Sequence, residues 1–280
     1  MTDSVWFGGP EHAAFDLEPD ADHTGAALLL HGFAGSPAEL RPVAEALVAH
    51  GLSAHAPLLP GFGADMPQLA KVSAADWMAS AAHAWVQVSR RHPNSVLIGY
   101  SMGAALALHL AAVRPPQRLI LLAPLWRLLG AAWPLGAVLE PLRHLIREVP
   151  LLRSDAAFSQ PELRDFIARA APQLDLDQAA VRHELRRRMR VPTSSLAHLW
   201  KVAIGSGQAA RAVRVPTLLV QGIHDSVVRA HDTRLLATRL GGPIQLHELP
   251  AGHLLLQPDL PAWHQVRSLI LAFAAPMDEA

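Results

Sequence analysis

Short, uniformly apolar runs recur along the first half of the chain and alternate with segments of helical periodicity. Residues 26–30, 96–98 and 119–122 form such runs, and residues 52–57 indicate a further strand. A strand that is covered on both faces of a parallel sheet carries apolar residues at every position rather than at alternate ones. The pattern therefore predicts parallel strands joined by helices.

The segments between these runs carry the start signals of helices. Ser36 and Glu39, with an intervening proline, match a capping box. Ser73 and Asp76 match a second one, ahead of apolar residues at helical spacing. Residues 102–113 are rich in Ala and Leu and predict another helix, so the first half of the chain indicates consecutive βαβ units.

The alternation of strands and helices lapses between residues 124 and 207 and then resumes. Leu-rich and Arg-rich segments broken by prolines occupy this interval. Beyond it the pattern predicts strands over 217–220 and 244–249, a helix near 232–240 and a terminal helix over 261–274.

The sequence thus predicts an α/β fold, a mostly parallel doubly wound sheet with an inserted helical cap. The α/β domain comprises residues 1–123 and 208–280, and the cap comprises residues 124–207. The cap has more apolar side chains than one helix face can cover, so they either line a pocket or dock the cap on the domain below. These side chains are Leu125, Trp126, Leu128, Leu129, Trp133, Leu135, Val138, Leu139 and Leu142.

Length and charge narrow the possible functions. A chain of 280 residues has room for one large domain with an insertion. The 24 basic and 24 acidic side chains cancel, so no overall field favours nucleic acid as a partner, and a small neutral substrate fits better.

Cysteine is absent, which excludes disulfides and thiolate chemistry and agrees with a cytoplasmic protein. The first residues lack the basic and apolar regions of a signal peptide. The apolar stretch over 125–152 is interrupted by prolines and arginines, so we expect no integral membrane segment.

Residues 99–103 read Gly-Tyr-Ser-Met-Gly and match the G-x-S-x-G pattern of a nucleophile elbow. The match lies between a predicted buried strand and a predicted helix, which is the context that the motif requires. Such a turn exposes its serine, and the glycines relieve crowding against neighbouring backbone. The sequence therefore predicts Ser101 as a nucleophile; the alternative is a Gly-rich turn without a catalytic role.

A serine hydroxyl needs a base within hydrogen-bond reach. The chain has 16 histidines, so their positions in the sequence have to show which of them is the base. With this elbow the chain order is Ser, acid, His, the acid following a late strand and the histidine following the last strand. Asp225 follows the predicted strand over 217–221, and His253 lies in a turn-rich loop ahead of the terminal helix. These residues are the predicted acid and base.

Other acidic and histidine side chains lie close by in the sequence. Asp232 and Glu248 are alternatives for the acid, but the first belongs to a helix start and the second to a strand. His224, His231 and His247 are alternatives for the base, in the wrong loop, at a helix end and in a strand interior. Each is therefore the weaker candidate.

The oxyanion hole is expected to use the backbone amides of Phe33 and Met102. Met102 follows the nucleophile at the helix start, and Phe33 lies in the turn after the first buried strand. The alternative is an ordinary turn in which His31 bonds only to backbone. No pair of histidines has a zinc-ligand spacing with a carboxylate, so we expect neither a metal nor a cofactor.

Four segments resemble the bacterial carboxylesterase and monoacylglycerol lipase group of α/β-hydrolases. They are LLLHGFAGSP at 28–37, APLLPGFG at 56–63, the elbow at 99–103, and VPTLLVQG at 215–222 with Asp225 and His253 beyond it. The resemblance implies the α/β-hydrolase fold, the same triad and oxyanion donors, and a preference for short to medium acyl esters or monoacylglycerols. Phe62 departs from the group, which usually has His in this Pro-Gly-His-Gly segment.

The leading hypothesis is hydrolysis of carboxylic esters through an acyl-enzyme on Ser101. A related enzyme with the same triad could cleave another bond, as a carbon-carbon hydrolase or a lyase, because the fold supports several chemistries. A ligand-binding protein that keeps the fold without turnover is the third hypothesis. The sequence leaves the oligomeric state, the alcohol preference and the stereoselectivity open.

Overall fold

The protein is described from a computed structural model. It covers residues 9–20, 25–127, 147–150, 155–159, 163–164, 167–168, 171, 174–188 and 190–275.

A seven-stranded sheet forms the centre of the molecule. Its strands are β1 (Phe15–Leu17), β2 (Gly25–Leu30), β3 (Leu52–Ala56), β4 (Ser95–Tyr100), β5 (Arg118–Leu122), β8 (Thr217–Gly222) and β9 (Ile244–Leu249). They lie side by side in the order β1-β3-β2-β4-β5-β8-β9. Every pairing is parallel except that of β1 with β3. The mostly parallel sheet predicted from the apolar runs is confirmed.

Helices connect the parallel strands on both sides of the sheet. They are α1 (Arg41–Val48), α2 (Ala74–Arg91), α3 (Met102–Val113), α4 (Ala179–Arg188), α5 (Thr193–Ala209), α6 (Ala230–Ala237) and α7 (Ala262–Ala274). Short 3-10 segments cover Pro10–His12, Pro37–Leu40, Gly63–Lys71, Asp155–Ser159 and Ala210–Ala212. The doubly wound arrangement predicted from the sequence is therefore present.

Two apolar cores lie on opposite faces of the sheet because strand side chains alternate between faces. Leu28 and Leu97 pack on one face with Trp77 of α2 and the apolar side chains of α3 and α5. The neighbouring Leu29 packs on the other face with α1 and with Trp263 of α7. All six residues of β2 and of β4 are buried, which explains the apolar runs over 26–30 and 96–98.

One predicted capping box is confirmed and the other is wrong. The Ser73 hydroxyl accepts a hydrogen bond from the Asp76 amide at 3.3 Å, and the Asp76 carboxylate accepts one from the Ser73 amide at 2.8 Å. The Glu39 carboxylate instead accepts a hydrogen bond from the Gly32 amide at 3.3 Å, while the Ser36 hydroxyl bonds to His12. Glu39 contacts the turn after β2 because that turn folds over the 3-10 segment ahead of α1.

Two strand pairings lie outside the sequence predictions. β1 is a three-residue antiparallel edge strand, and β6 (Glu148–Pro150) pairs with β7 (Arg190–Pro192) in a separate two-stranded antiparallel sheet. These strands are too short to carry a clear pattern of two-residue periodicity. The two-stranded sheet lies within the interval predicted as a helical cap, which also contains α4 and most of α5.

The start of that interval packs on the domain core. Leu125 and Trp126 are buried in the core on the α3 side, and the Trp126 indole donates to the Asp232 carbonyl at 2.7 Å. The other apolar cap side chains named above, from Leu128 to Leu142, lie outside the described residues. The division into residues 1–123 with 208–280 and a cap over 124–207 stays a prediction. Within the described ranges, no helix is both long and apolar enough to cross a bilayer.

Candidate active site

Ser101 lies in a strained turn between β4 and α3. Its backbone has φ 54° and ψ −114°, a conformation that side-chain-bearing residues rarely adopt. The Ser101 amide donates to the Leu122 carbonyl at 2.9 Å, and its carbonyl accepts from the Leu125 amide at 3.2 Å. These bonds to the end of β5 and beyond fix the serine in the conformation of a nucleophile elbow.

The glycines of the elbow allow backbone segments to approach closely. A methyl group on Gly99 would stand 2.5 Å from the Ala104 Cα atom. A methyl group on Gly103 would overlap the Leu30 carbonyl and stand 2.8 Å from the His31 carbonyl oxygen. The second contact seats the start of α3 directly on the end of β2.

Ser101, His253 and Asp225 come together at the carboxyl ends of three parallel strands. The Ser101 Oγ lies 3.1 Å from His253 Nε2, and His253 Nδ1 lies 2.7 Å from Asp225 Oδ2. An ionised carboxylate only accepts hydrogen bonds, so His253 Nδ1 carries the hydrogen and Nε2 accepts from the serine hydroxyl. This tautomer is the one that a general base requires.

Asp225 is held by contacts from its own loop and from β8. Its Oδ1 atom accepts hydrogen bonds from the amides of Val227 and Val228, both at 2.8 Å. Its Oδ2 atom accepts from the Gln221 side-chain amide at 3.2 Å, and the Asp225 side chain is fully buried. The carboxylate thus has a fixed orientation toward the imidazole.

Gln221 is a functional residue that sequence reasoning missed. It is buried, and its Nε2 also donates to the Val228 carbonyl at 2.9 Å while its Oε1 accepts from Thr233 at 2.6 Å. A polar residue inside an otherwise apolar strand is a signal for such a role, because burying an unpaired amide is costly. Gln221 therefore ties the Asp225 loop to α6.

The alternative acids pair with arginines, and the alternative bases lie elsewhere. Asp232 pairs with Arg127 at 3.2 Å, and Glu248 with Arg234 at 2.8 Å. His224 is exposed in the acid loop, His231 belongs to α6, and His247 lies within β9. None of these residues has a hydrogen bond to Ser101 or to His253.

The turn after β2 brings Phe33 to the same cavity as Ser101. The Phe33 and Met102 amides, the two predicted oxyanion donors, take no part in a backbone–backbone hydrogen bond of the described chain. Met102 begins α3, whose first amides point out of the helix and carry its positive dipole end. The two residues therefore lie where developing negative charge could be bound.

His31 supports this turn from below. Its Nε2 accepts from the Leu59 amide at 3.1 Å, so its Nδ1 donates to the Gly32 carbonyl at 2.8 Å. Burial lowers the pKa of His31 to about 4, although the Gly32 carbonyl opposes the shift, so the imidazole is neutral at pH 7. His31 thus bonds only to backbone, and it fixes the turn that carries Phe33.

Phe62 fills the position where the resembling group usually has histidine. It is fully buried, and its ring packs edge-on against His31 with centroids 5.4 Å apart. The Trp77 and Phe33 rings lie 5.6 Å and 5.5 Å from it. The substitution therefore continues the core beneath the turn and presents no polar atom to the cavity.

Tyr100 is a second residue whose role the sequence did not reveal. Its hydroxyl donates to the His253 carbonyl at 3.0 Å, and its ring lies 5.3 Å from the imidazole. The two residues are 153 positions apart in the chain, so no local pattern could indicate the contact. Tyr100 anchors the histidine loop to the elbow.

A cavity of about 230 Å³ opens at Ser101 and His253, whereas Asp225 bonds to the imidazole without lining the cavity. Its wall also includes Glu39, Leu163, Ser226 and Leu254. Among the described residues, no group of three or more His, Asp or Glu side chains could hold a metal ion. The arrangement places a hydroxyl beside an imidazole at the cavity, with a buried carboxylate bonded to the other ring nitrogen.

Comparison with known proteins identifies the family of the chain. A family model described as serine aminopeptidase, S33, matches residues 21–256. The chain belongs to this S33 hydrolase family. The matched range includes every strand from β2 to β9 and the three candidate residues Ser101, Asp225 and His253.

Individual relatives of the S33 chain include lipases. It is 35% identical over 88 residues to a thermostable monoacylglycerol lipase of Bacillus sp. (strain H-257), and the match covers 31% of this chain and about a third, 35%, of that enzyme. A structure from work on LipS and LipT, two metagenome-derived lipolytic enzymes, has a TM-score of 0.74 at 22% identity, covering 95% and 98% of the two chains. The monoacylglycerol lipase of Paleococcus ferrophilus has a TM-score of 0.68 at 14% identity, covering 93% and 98%. The fold is that of the α/β-hydrolases.

Proposed function

We propose that this protein is a serine hydrolase that cleaves carboxylic esters through an acyl-enzyme on Ser101. The observation that carries the proposal is the continuous contact from Ser101 through His253 to Asp225, at 3.1 Å and 2.7 Å. The Phe33 and Met102 amides are the proposed oxyanion donors. Membership of a serine hydrolase family supports the same chemistry.

In the first half-reaction Ser101 Oγ attacks the ester carbonyl carbon, and its proton passes to His253 Nε2. The carbonyl oxygen becomes an oxyanion, which the two amides stabilise, and Asp225 stabilises the imidazolium. When the intermediate collapses, the alcohol leaves with the proton from His253 and the acyl group stays on Ser101. Water then repeats the sequence, releasing the acid and restoring the serine.

Short to medium acyl esters or monoacylglycerols are the proposed substrates. The relatives described as lipolytic enzymes and monoacylglycerol lipases support an acyl substrate. A cavity of about 230 Å³, bordered by Leu163 and Leu254, favours a compact acyl group over a long one. A cytoplasmic location, suggested by the absence of cysteine, also stays a proposal.

A panel of substrates tests this function. We expect p-nitrophenyl butyrate and octanoate to be hydrolysed with kcat/KM about tenfold or more above that for palmitate, because a long chain exceeds the cavity. A monoacylglycerol with a medium chain is expected to be cleaved as well, with release of the fatty acid measured by titration. An aminoacyl p-nitroanilide serves as the matched amide substrate.

Two results would contradict the proposal. Hydrolysis of the anilide without hydrolysis of any ester would identify a peptidase instead. If a folded sample cleaved none of the substrates, that result would favour a binding protein that retains the fold without turnover.

A further inference from the structure

Glu39 is a carboxyl group at the candidate active site that the triad does not use. It is half-buried in the wall of the cavity that also contains Ser101 and His253. The capping role predicted from its sequence position is wrong, because its carboxylate bonds to Gly32 and not to Ser36. A carboxyl group in this environment needs another explanation.

The Glu39 carboxylate fills the inside of the turn after β2. Its Oε2 atom accepts from the Gly32 amide at 3.3 Å, and a methyl group on Gly35 would overlap the carboxylate. A methyl group on Gly32 would stand 3.6 Å from Glu39 Oε2 and 3.4 Å from Ser101 Cβ. Glu39 and Ser101 therefore both lie next to one glycine.

Gly32 is consequently fixed at both of its backbone polar groups. Glu39 binds its amide, and His31 Nδ1 donates to its carbonyl at 2.8 Å. The Gly32 carbonyl belongs to the same planar peptide unit as the Phe33 amide, one of the proposed oxyanion donors. The orientation of that donor therefore depends on Glu39 and on His31 together.

The charge of Glu39 changes in the neutral pH range. Burial raises the pKa of Glu39 to about 7, opposed by the Gly32 hydrogen bond and by the electrostatic interaction with His253. The other titratable groups around the turn are His31 below it and Tyr100 in the elbow. Arg41, two positions along, lies over the Phe15 ring at 4.2 Å.

A negative charge at Glu39 acts on both charges of the tetrahedral intermediate. It attracts the imidazolium, but Asp225 already stabilises that ion at 2.7 Å. It repels the oxyanion, which has two neutral amides as its proposed partners. The repulsion is therefore expected to outweigh the attraction.

We propose that Glu39 is a positioning residue of the oxyanion hole, which orients the Gly32–Phe33 peptide and supports ester hydrolysis best in its neutral form. The inference rests on the proposed function, since it concerns the same oxyanion.

Glu39→Gln and Glu39→Ala separate the two parts of this inference, with Glu45→Gln as a matched control on the exposed face of α1. Glutamine keeps an acceptor for the Gly32 amide and removes the charge, whereas alanine removes both. We expect the ratio of kcat/KM for Glu39→Gln to wild type to be close to one at pH 6 and to rise about fivefold by pH 8.5. Glu45→Gln should give a flat ratio.

Alanine at position 39 is expected to lower kcat about tenfold relative to Glu39→Gln at every pH, with little change in KM, because both variants lack the charge and only alanine loses the fixed orientation of the donor. A flat or falling pH ratio for Glu39→Gln, or equal kcat for all variants, would overturn the inference. Absence of esterase activity in the wild type would instead refute the proposed function.

Thermal unfolding tests the burial of the carboxyl group without using activity. A folded-state pKa of about 7, above the value near 4.5 of a free carboxyl group, means that the native state holds this proton after the unfolded state has released it. Stability therefore falls between these two pH values in the wild type but not in Glu39→Gln. We expect the variant to melt about 5 °C higher at pH 8 and within about 1 °C at pH 4.5. If the melting temperatures of Glu39→Gln and wild type differed by the same amount at pH 4.5 and at pH 8, that result would contradict a Glu39 carboxyl group that is buried and titrates in this range.

Discussion

Replacing Ser101 by alanine is expected to lower kcat/KM for p-nitrophenyl butyrate by about 10⁵-fold or more, leaving only the acceleration that the oxyanion amides and substrate binding supply. The variant lacks the oxygen that forms the acyl-enzyme, while the amides and the cavity remain. Stopped or continuous release of p-nitrophenol measures the effect. Unfolding temperature should change little, because alanine fits wherever the serine side chain fits.

A serine elsewhere provides the matched control for this experiment. Ser268 is exposed on α7, and its hydroxyl donates only to the His264 carbonyl at 2.9 Å. Ser268→Ala should keep full activity. Equal activity of Ser101→Ala and wild type would refute the role of Ser101, and a large loss in Ser268→Ala would point to an artefact of the assay.

Gly103→Ala is expected to be the most destabilising single substitution considered in this protein, with a loss of about 3–5 kcal/mol or failure to fold. The added methyl group would overlap the Leu30 carbonyl and stand 2.5 Å from its carbon atom. These atoms belong to the backbone of β2, so they cannot move without shifting the central sheet or α3. Urea unfolding followed by circular dichroism measures the loss.

Gly205→Ala in α5 is a matched change of glycine to alanine within a helix. Its methyl group would meet the His109 ring, at 2.8 Å from the Cε1 atom, and a side chain can rotate away where backbone cannot. Alanine also gains about 1 kcal/mol in helix propensity. We expect this variant to unfold within about 2 kcal/mol of wild type. A similar small loss in Gly103→Ala would show that α3 is not seated on β2 as described.

Much of the fold was predictable because buried parallel strands leave a distinct pattern. β2 and the centre of β4 are apolar, and Ser101 follows β4 directly. The order of Ser101, Asp225 and His253 along the chain follows from strands whose carboxyl ends share one edge. These features depend on local sequence and on one general rule of sheet topology.

Other features depend on contacts between distant segments. Glu39 matched a capping box locally, yet the turn after β2 supplies a closer partner for its carboxylate. Tyr100 contacts the loop of His253, 153 positions away, and that contact has no periodic signature. The strand β1 is too short for its pattern to be distinguished from a loop.

Reaction with a fluorophosphonate probe tests the central claim most directly, because phosphonylation requires a serine that a neighbouring base has activated. We expect a single adduct per chain, located at Ser101 by peptide mass spectrometry, and labelling slowed at least about a hundredfold in His253→Ala. A folded, esterase-active sample that carries no adduct at Ser101, or that is labelled equally fast without the imidazole, would contradict it.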